Sequence, residues 1–131
     1  AVLAAPIGAV LLDQTVVAGI GNIFKSEALF VARVHPAAQV GAIDEGVIDD
    51  LLGIARSQML ASARGSGPVR TAPRATGSPA AGERHFVYRR DGRPCLHCGT
   101  RVQRMHQGPH DRSTYYCPRC QPDSTGRLRL F

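Results

Sequence analysis

All four cysteines of the chain fall in two short pairs, Cys95-Leu96-His97-Cys98 and Cys117-Pro118-Arg119-Cys120, with eighteen residues between them. Two thiols at this spacing sit on one tight turn and point at a common ion. A second pair completes a tetrahedron, the pattern of a structural four-cysteine zinc site. The competing chemistry is two disulfides, which need an oxidising compartment, and the sequence has no signal-like apolar leader. One zinc ion held by Cys95, Cys98, Cys117 and Cys120 is therefore expected. Four protein ligands leave no open position for water, so the metal should fold the chain rather than catalyse. His97, His106 and His110 are not needed as ligands.

Turns and hairpins must bring the pairs together. His85-Phe86-Val87-Tyr88 reads as a strand and Asp91-Gly92 as a hairpin turn. Residues 101–105 and 113–116 read as a second hairpin with its tip at 106–112. Such a module has little apolar core, and structural zinc would contribute on the order of 10–16 kcal/mol to its folding.

The preceding residues have helical spacing. Pro6 suits the first turn of a short helix running to about Asp13. Gly19-Ile20-Gly21-Asn22 then reads as a tight turn feeding a helix over about 23–32, with Asn22 placed to cap it or to meet a phosphate. Ile23, Phe24, Ala28, Leu29 and Val31 form its expected buried stripe, with Lys25 and Glu27 outside. His35-Pro36 ends it. A further helix should begin near Asp44 and reach about Ala63, burying Val47, Ile48, Leu51, Leu52, Ala55 and Met59 while Asp49 and Asp50 face solvent. Residues 64–84, rich in Gly, Pro, Ser and Ala, read as a linker. The expected fold is a mainly α helical domain (1–63), a linker (64–84) and a small β-hairpin zinc finger (85–131).

Charge divides along the same lines. Residues 1–63 hold three basic and six acidic side chains, net −3; residues 64–131 hold thirteen arginines and four acids, net +9. A basic half beside a glycine turn that opens a helix points to a polyanion, most simply nucleic acid: glycines let a phosphate approach, and the helix N-terminus presents free N–H groups. No apolar run approaches the ~20 residues of a membrane span.

The stretch Leu11-Leu12-Asp13-Gln14-Thr15-Val16-Val17-Ala18-Gly19-Ile20-Gly21-Asn22-Ile23-Phe24-Lys25-Ser26-Glu27-Ala28-Leu29-Phe30, followed by His35-Pro36, resembles the helix–two-turns–helix signature of the formamidopyrimidine-DNA glycosylase / endonuclease VIII family. Val87-Tyr88-Arg89-Arg90-Asp91-Gly92-Arg93-Pro94-Cys95 through Cys120-Gln121 resembles that family's zinc finger. Gly8 stands where many formamidopyrimidine-DNA glycosylases carry a phosphate-binding lysine, which favours an endonuclease VIII-like branch.

The resemblance implies a bifunctional DNA glycosylase and abasic-site lyase of base excision repair, removing oxidised bases from double-stranded DNA after extruding the damaged nucleotide. It implies phosphate contacts at Asn22 and Arg112; Gly21, in the glycine turn, and Lys25, in the helix that the turn opens, are further DNA-binding candidates. Arg112 is implied in the elimination step too, where a permanent cation suits charge stabilisation better than proton donation. The family's nucleophile is an N-terminal proline amine followed by glutamate. Ala1-Val2-Leu3 does not match that pair, so this chain alone is expected to bind DNA without cleaving it. A monomer in the bacterial cytoplasm, associated with DNA, is the expected setting. The alternatives are a non-catalytic zinc-containing nucleic-acid-binding protein and a protein-interaction zinc ribbon.

Overall fold

The computed structural model describes residues 4–12, 21–64, 71, 84–108 and 112–123. The expected break at 13–15, the first two residues of the 19–22 turn, most of the expected linker, His110 and Asp111 lie outside the described residues.

Three helices, α1 (Ile7–Leu12), α2 (Asn22–Ala32) and α3 (Glu45–Arg64), precede a two-stranded antiparallel hairpin of β1 (Gln103–Gln107) and β2 (Arg112–Tyr116). The register pairs Gln103 with Tyr116 and Gln107 with Arg112. The first strand thus sits two residues later than its spacing suggested, and the second starts one residue earlier. Among the described residues no helix is long and apolar enough to cross a membrane.

Pro6 has no N–H to lose at the start of α1, and the next two N–H groups are satisfied from outside the helix. Ile7 donates to the Ala38 carbonyl at 2.8 Å and Gly8 to the Pro36 carbonyl at 2.9 Å. The helix start is therefore stitched to the turn that follows α2. Helix α3 opens as expected, with Asp44 Oδ1 accepting the Gly46 N–H at 2.8 Å. Its buried face is narrower than the periodicity implied: Leu51 and Ala55 are buried, Val47, Ile48 and Met59 half-buried, and Leu52 is 36% exposed. Asp49 and Asp50 face solvent as expected. Ile7, Leu11, Ala28, Leu29, Val34, Ala38, Leu51 and Ala55 form the helical core. Truncating Leu29 there to alanine should cost about 2–5 kcal/mol.

Helix α2 departs furthest from expectation. Residues 25–30 are all buried, including Lys25 and Glu27 at 0% exposure, whereas Val31, placed in the expected stripe, is 41% exposed. The helix has two packed sides. Ala28 and Leu29 meet the helical core; Phe30 joins Val87, Val102, Tyr115 and the cysteines in a second core, stacking on Phe86 at 4.9 Å between ring centroids. Its polar side is covered by the zinc module rather than by water.

The 85–88 stretch is not a strand. The N–H groups of Phe86, Val87 and Tyr88 converge on the Glu27 carboxylate at 2.6, 2.8 and 3.0 Å, so they are turned away from any ladder. Asp91-Gly92 does form a turn, with Gly92 at φ 82°.

Candidate nucleic-acid interface and metal centre

The metal centre follows from the two knuckles. The Sγ atoms of Cys95, Cys98, Cys117 and Cys120 all lie within 4.8 Å of one another. The shortest approaches join one pair to the other, Cys98 to Cys117 at 3.5 Å and Cys95 to Cys120 at 3.9 Å. Neither is a disulfide; both suit a tetrahedron with Zn–S of about 2.3 Å, whose S···S edge is roughly 3.8 Å. Backbone N–H groups point at the sulfurs as in a metal knuckle: His97 to Cys95 and Cys120 to Cys117, each at 3.4 Å. Gly99, at φ 79°, closes the first turn in a conformation that glycine adopts readily. Hydrogen bonding from Thr100 holds the Cys98 thiol down to about 6, while burial pushes Cys117 and Cys120 up. His97 is exposed and faces Arg33, and His106 is exposed on β1.

A second cluster forms where the start of α2 meets β2. Gly21 is the N-cap and contributes no side-chain cap; Asn22 is the first helical residue rather than the cap. The Asn22 amide instead accepts a hydrogen bond from Lys25 Nζ at 2.8 Å. The same ammonium donates to the Ser113 carbonyl at 3.0 Å and to Thr114 Oγ1 at 2.5 Å. In its protonated form the amine has three protons, one for each of these acceptors. Lys25 therefore lies beneath the surface, bolting the α2 turn to β2. Burial, and then the nearby Arg112 charge, bring its amine down to about 7. Arg112, the first residue of β2, is exposed immediately beside this bolt, and Gly21 is exposed at the helix start. Gly21, Asn22, Lys25 and Arg112 are thus brought to one edge of the molecule, although they are separated by up to ninety-one positions.

Four supporting residues were invisible to sequence reasoning. Glu27 gathers the three backbone N–H groups described above and the Thr71 hydroxyl. Buried Gln107 accepts from Thr114 Oγ1 at 2.7 Å and donates to the Pro36 carbonyl at 2.9 Å. Buried Gln121 accepts from the Cys117 N–H at 2.9 Å and donates to the Val34 carbonyl at 3.0 Å. Ser26 Oγ accepts the Tyr115 N–H at 3.2 Å. A polar residue on a helix or strand reads as solvent-facing unless its partner is known, and most partners here are distant in sequence.

Two family profiles match the chain. Residues 3–71 match "Formamidopyrimidine-DNA glycosylase H2TH domain" and residues 92–122 match "Zinc finger found in FPG and IleRS".

The chain belongs to the formamidopyrimidine-DNA glycosylase family.

Among curated relatives, a formamidopyrimidine-DNA glycosylase of Symbiobacterium thermophilum is 37% identical over 123 residues, covering 92% of this chain and 39% of that protein. The solved MutM (Fpg) protein of Thermus thermophilus is 35% identical with a TM-score of 0.70, covering 90% of this chain and 45% of that one. A Lactococcus lactis Fpg solved with abasic-site DNA is 31% identical with a TM-score of 0.65, over 91% of this chain and 44% of that one. The chain thus spans about two-fifths of the formamidopyrimidine-DNA glycosylase relative and under half of these solved structures. The helical region with a four-cysteine hairpin module is the shared architecture, and four cysteines able to hold the zinc of the formamidopyrimidine-DNA glycosylase finger are present.

Proposed function

We propose that this chain supplies the DNA-holding part of a base-excision glycosylase with abasic-site lyase activity, acting on double-stranded DNA that carries an oxidised base or an abasic site. The observation that carries this reading is the Lys25 bolt. It fixes the uncapped start of α2 beside the exposed Arg112 guanidinium. A helix start offers N–H donors and partial positive charge, and an arginine offers a planar fork for phosphate. Gly21 admits a backbone close to the helix, Asn22 and Arg112 take phosphate oxygens, and Lys25 supports both from below. Arg112 stabilises negative charge developing in elimination without giving up its proton. Zinc bound to Cys95, Cys98, Cys117 and Cys120 supplies folding energy and no catalytic position.

Gly8 stands at the position where the resemblance places a phosphate-binding lysine in many formamidopyrimidine-DNA glycosylases. A Cβ built there would overlap Gln107 Oε1, and Gln107 is held at both ends of its amide. A lysine therefore has no place at this position unless Gln107 is displaced.

Fluorescence anisotropy with a duplex carrying a tetrahydrofuran abasic analogue tests the reading. Affinity should fall steeply between about 50 and 200 mM salt, as phosphate contacts require. A salt-independent affinity, or none at low salt, would remove DNA as the partner.

A further inference from the structure

The far end of α2, some 16 Å from Asn22 at about 1.5 Å per residue, carries a second cationic cluster that DNA holding does not use. Arg33 occupies the helix C-cap in the left-handed conformation, φ 60° and ψ 37°. Glycine is the residue that takes this position most easily. A bulky side chain kept there needs a reason elsewhere. The Arg33 guanidinium reaches His97, whose Nε2 lies 3.2 Å from Nη2, and arginine can only donate. The His97 backbone N–H in turn points at Cys95 Sγ. Arg33, His97, Cys98, Arg119 and Cys120 line a single cleft of about 320 Å³ between the helix end and both knuckles. Among the described residues neither arginine has a carboxylate within salt-bridge distance.

Four thiolates around a divalent zinc ion leave a net charge of −2, so the centre itself is the nearest large anion. Arg33 and Arg119, which line the same cleft as Cys98 and Cys120, carry the two positive charges that would bring the sum to zero. We propose that Arg33 and Arg119 form a cationic cover over the Cys98–Cys120 edge of the zinc centre, slowing metal loss and joining the centre electrostatically to the end of α2. One arginine comes from the helical part and the other from the second knuckle. The pairing therefore makes retention of the metal depend on docking of the helix. The cover requires zinc at the four cysteines and is independent of the DNA reading.

The test is the rate at which the zinc-loaded chain transfers metal to an excess of a chromogenic chelator. Arg33→Gly, Arg119→Gln and the double variant are compared with the wild type. Arg33→Gly relieves the left-handed strain and should keep the native far-ultraviolet circular dichroism. Release should nevertheless quicken, with affinity falling by about tenfold or more, the range for loss of an outer-shell partner. Arg33→Lys should restore part of the retention by charge alone. Release rates equal to wild type in the double variant, with the fold intact, would overturn the cover. So would faster release in Arg33→Gly that Arg33→Lys does not improve at all. A wild-type chain that takes up no zinc would overturn the cover together with the metal assignment beneath it.

Discussion

Glu27 on α2 receives the backbone N–H of Val87, sixty positions away, at 2.8 Å, with both residues fully buried. The same carboxylate takes the N–H groups of Phe86 and Tyr88 and the hydroxyl of Thr71. Burial raises its pKa, while the hydroxyl and the three N–H donors pull it back. Glu27→Gln retains the size but replaces one acceptor oxygen with an NH2 that faces donors. Each buried donor left without a partner costs about 1–3 kcal/mol. Urea unfolding should show a loss of that size or greater, and amide exchange at 86–88 should accelerate. Unchanged exchange there would mean that the docked turn does not depend on Glu27.

The amine of Lys25 supplies a pH signature. Its folded value of about 7 lies below the ordinary 10.5, so between those values the unfolded chain binds more protons at this site. Stability should therefore rise with pH across about 7 to 10.5 through Lys25, since burying the charged form is what costs. Zinc and other groups titrate too, so the readout is a difference. Wild type minus Lys25→Met, both zinc-loaded, should gain stability over this window. A flat difference would show that the amine keeps its ordinary pKa.

A lowered lysine pKa invites comparison with Schiff-base amines. Nothing near Lys25 in the sequence marks it as activated, yet burial in the fold acts in that direction. The amine is also fully enclosed, surrounded by Asn22, Ser113 and Thr114. Borohydride treatment with abasic DNA should give no adduct at Lys25, as judged by peptide mapping. An adduct at that residue would require the bolt to open.

Arg112→Ala should weaken binding to abasic-site DNA and reduce the salt slope by about 1, the share of one phosphate. Asn22→Ala should weaken binding too, and it also frees a Lys25 proton. Anisotropy titrations at several salt concentrations separate the two, because only removal of the cation changes the slope. An unchanged slope in Arg112→Ala would place that residue away from the backbone.

Gly8→Lys adds the side chain that many relatives are expected to carry. Because the Cβ overlaps Gln107 Oε1, the substitution should destabilise the chain by about 1–3 kcal/mol, the usual cost of overpacking. Thermal unfolding checks this. Gly8→Lys and Gln107→Gly together should cost less than the sum of the two single changes, because the overlapping atoms are then gone.

The cysteine spacing and the helix–turn motif were legible because each is a local pattern with one dominant physical solution. Four thiols at this spacing converge on a metal, and apolar residues at helical spacing bury one face. The second face of α2 was not legible. Lys25 and Glu27 sit where a single packed side would leave them in water, and only the docked zinc module reverses that assignment. The 85–88 segment failed for the same reason: its apolar residues suit a strand, but Glu27 has taken the N–H groups a strand would need. Asn22 and Arg112 could be nominated from the resemblance, whereas the hydrogen bonds by which Lys25 joins Asn22 to β2 required the fold.

The Pro36 carbonyl accepts from the Gly8 N–H and from Gln107 Nε2, both at 2.9 Å, so both of its lone pairs are used. Two positions earlier, the Val34 carbonyl holds Gln121. The short bend after α2 is therefore gripped by α1, by β1 and by the second knuckle at once. A bend tethered in this way is a poor hinge. Torque applied to the hairpin by a bent duplex would pass into the helices without being absorbed between them. The two parts should tumble and reorient as one unit.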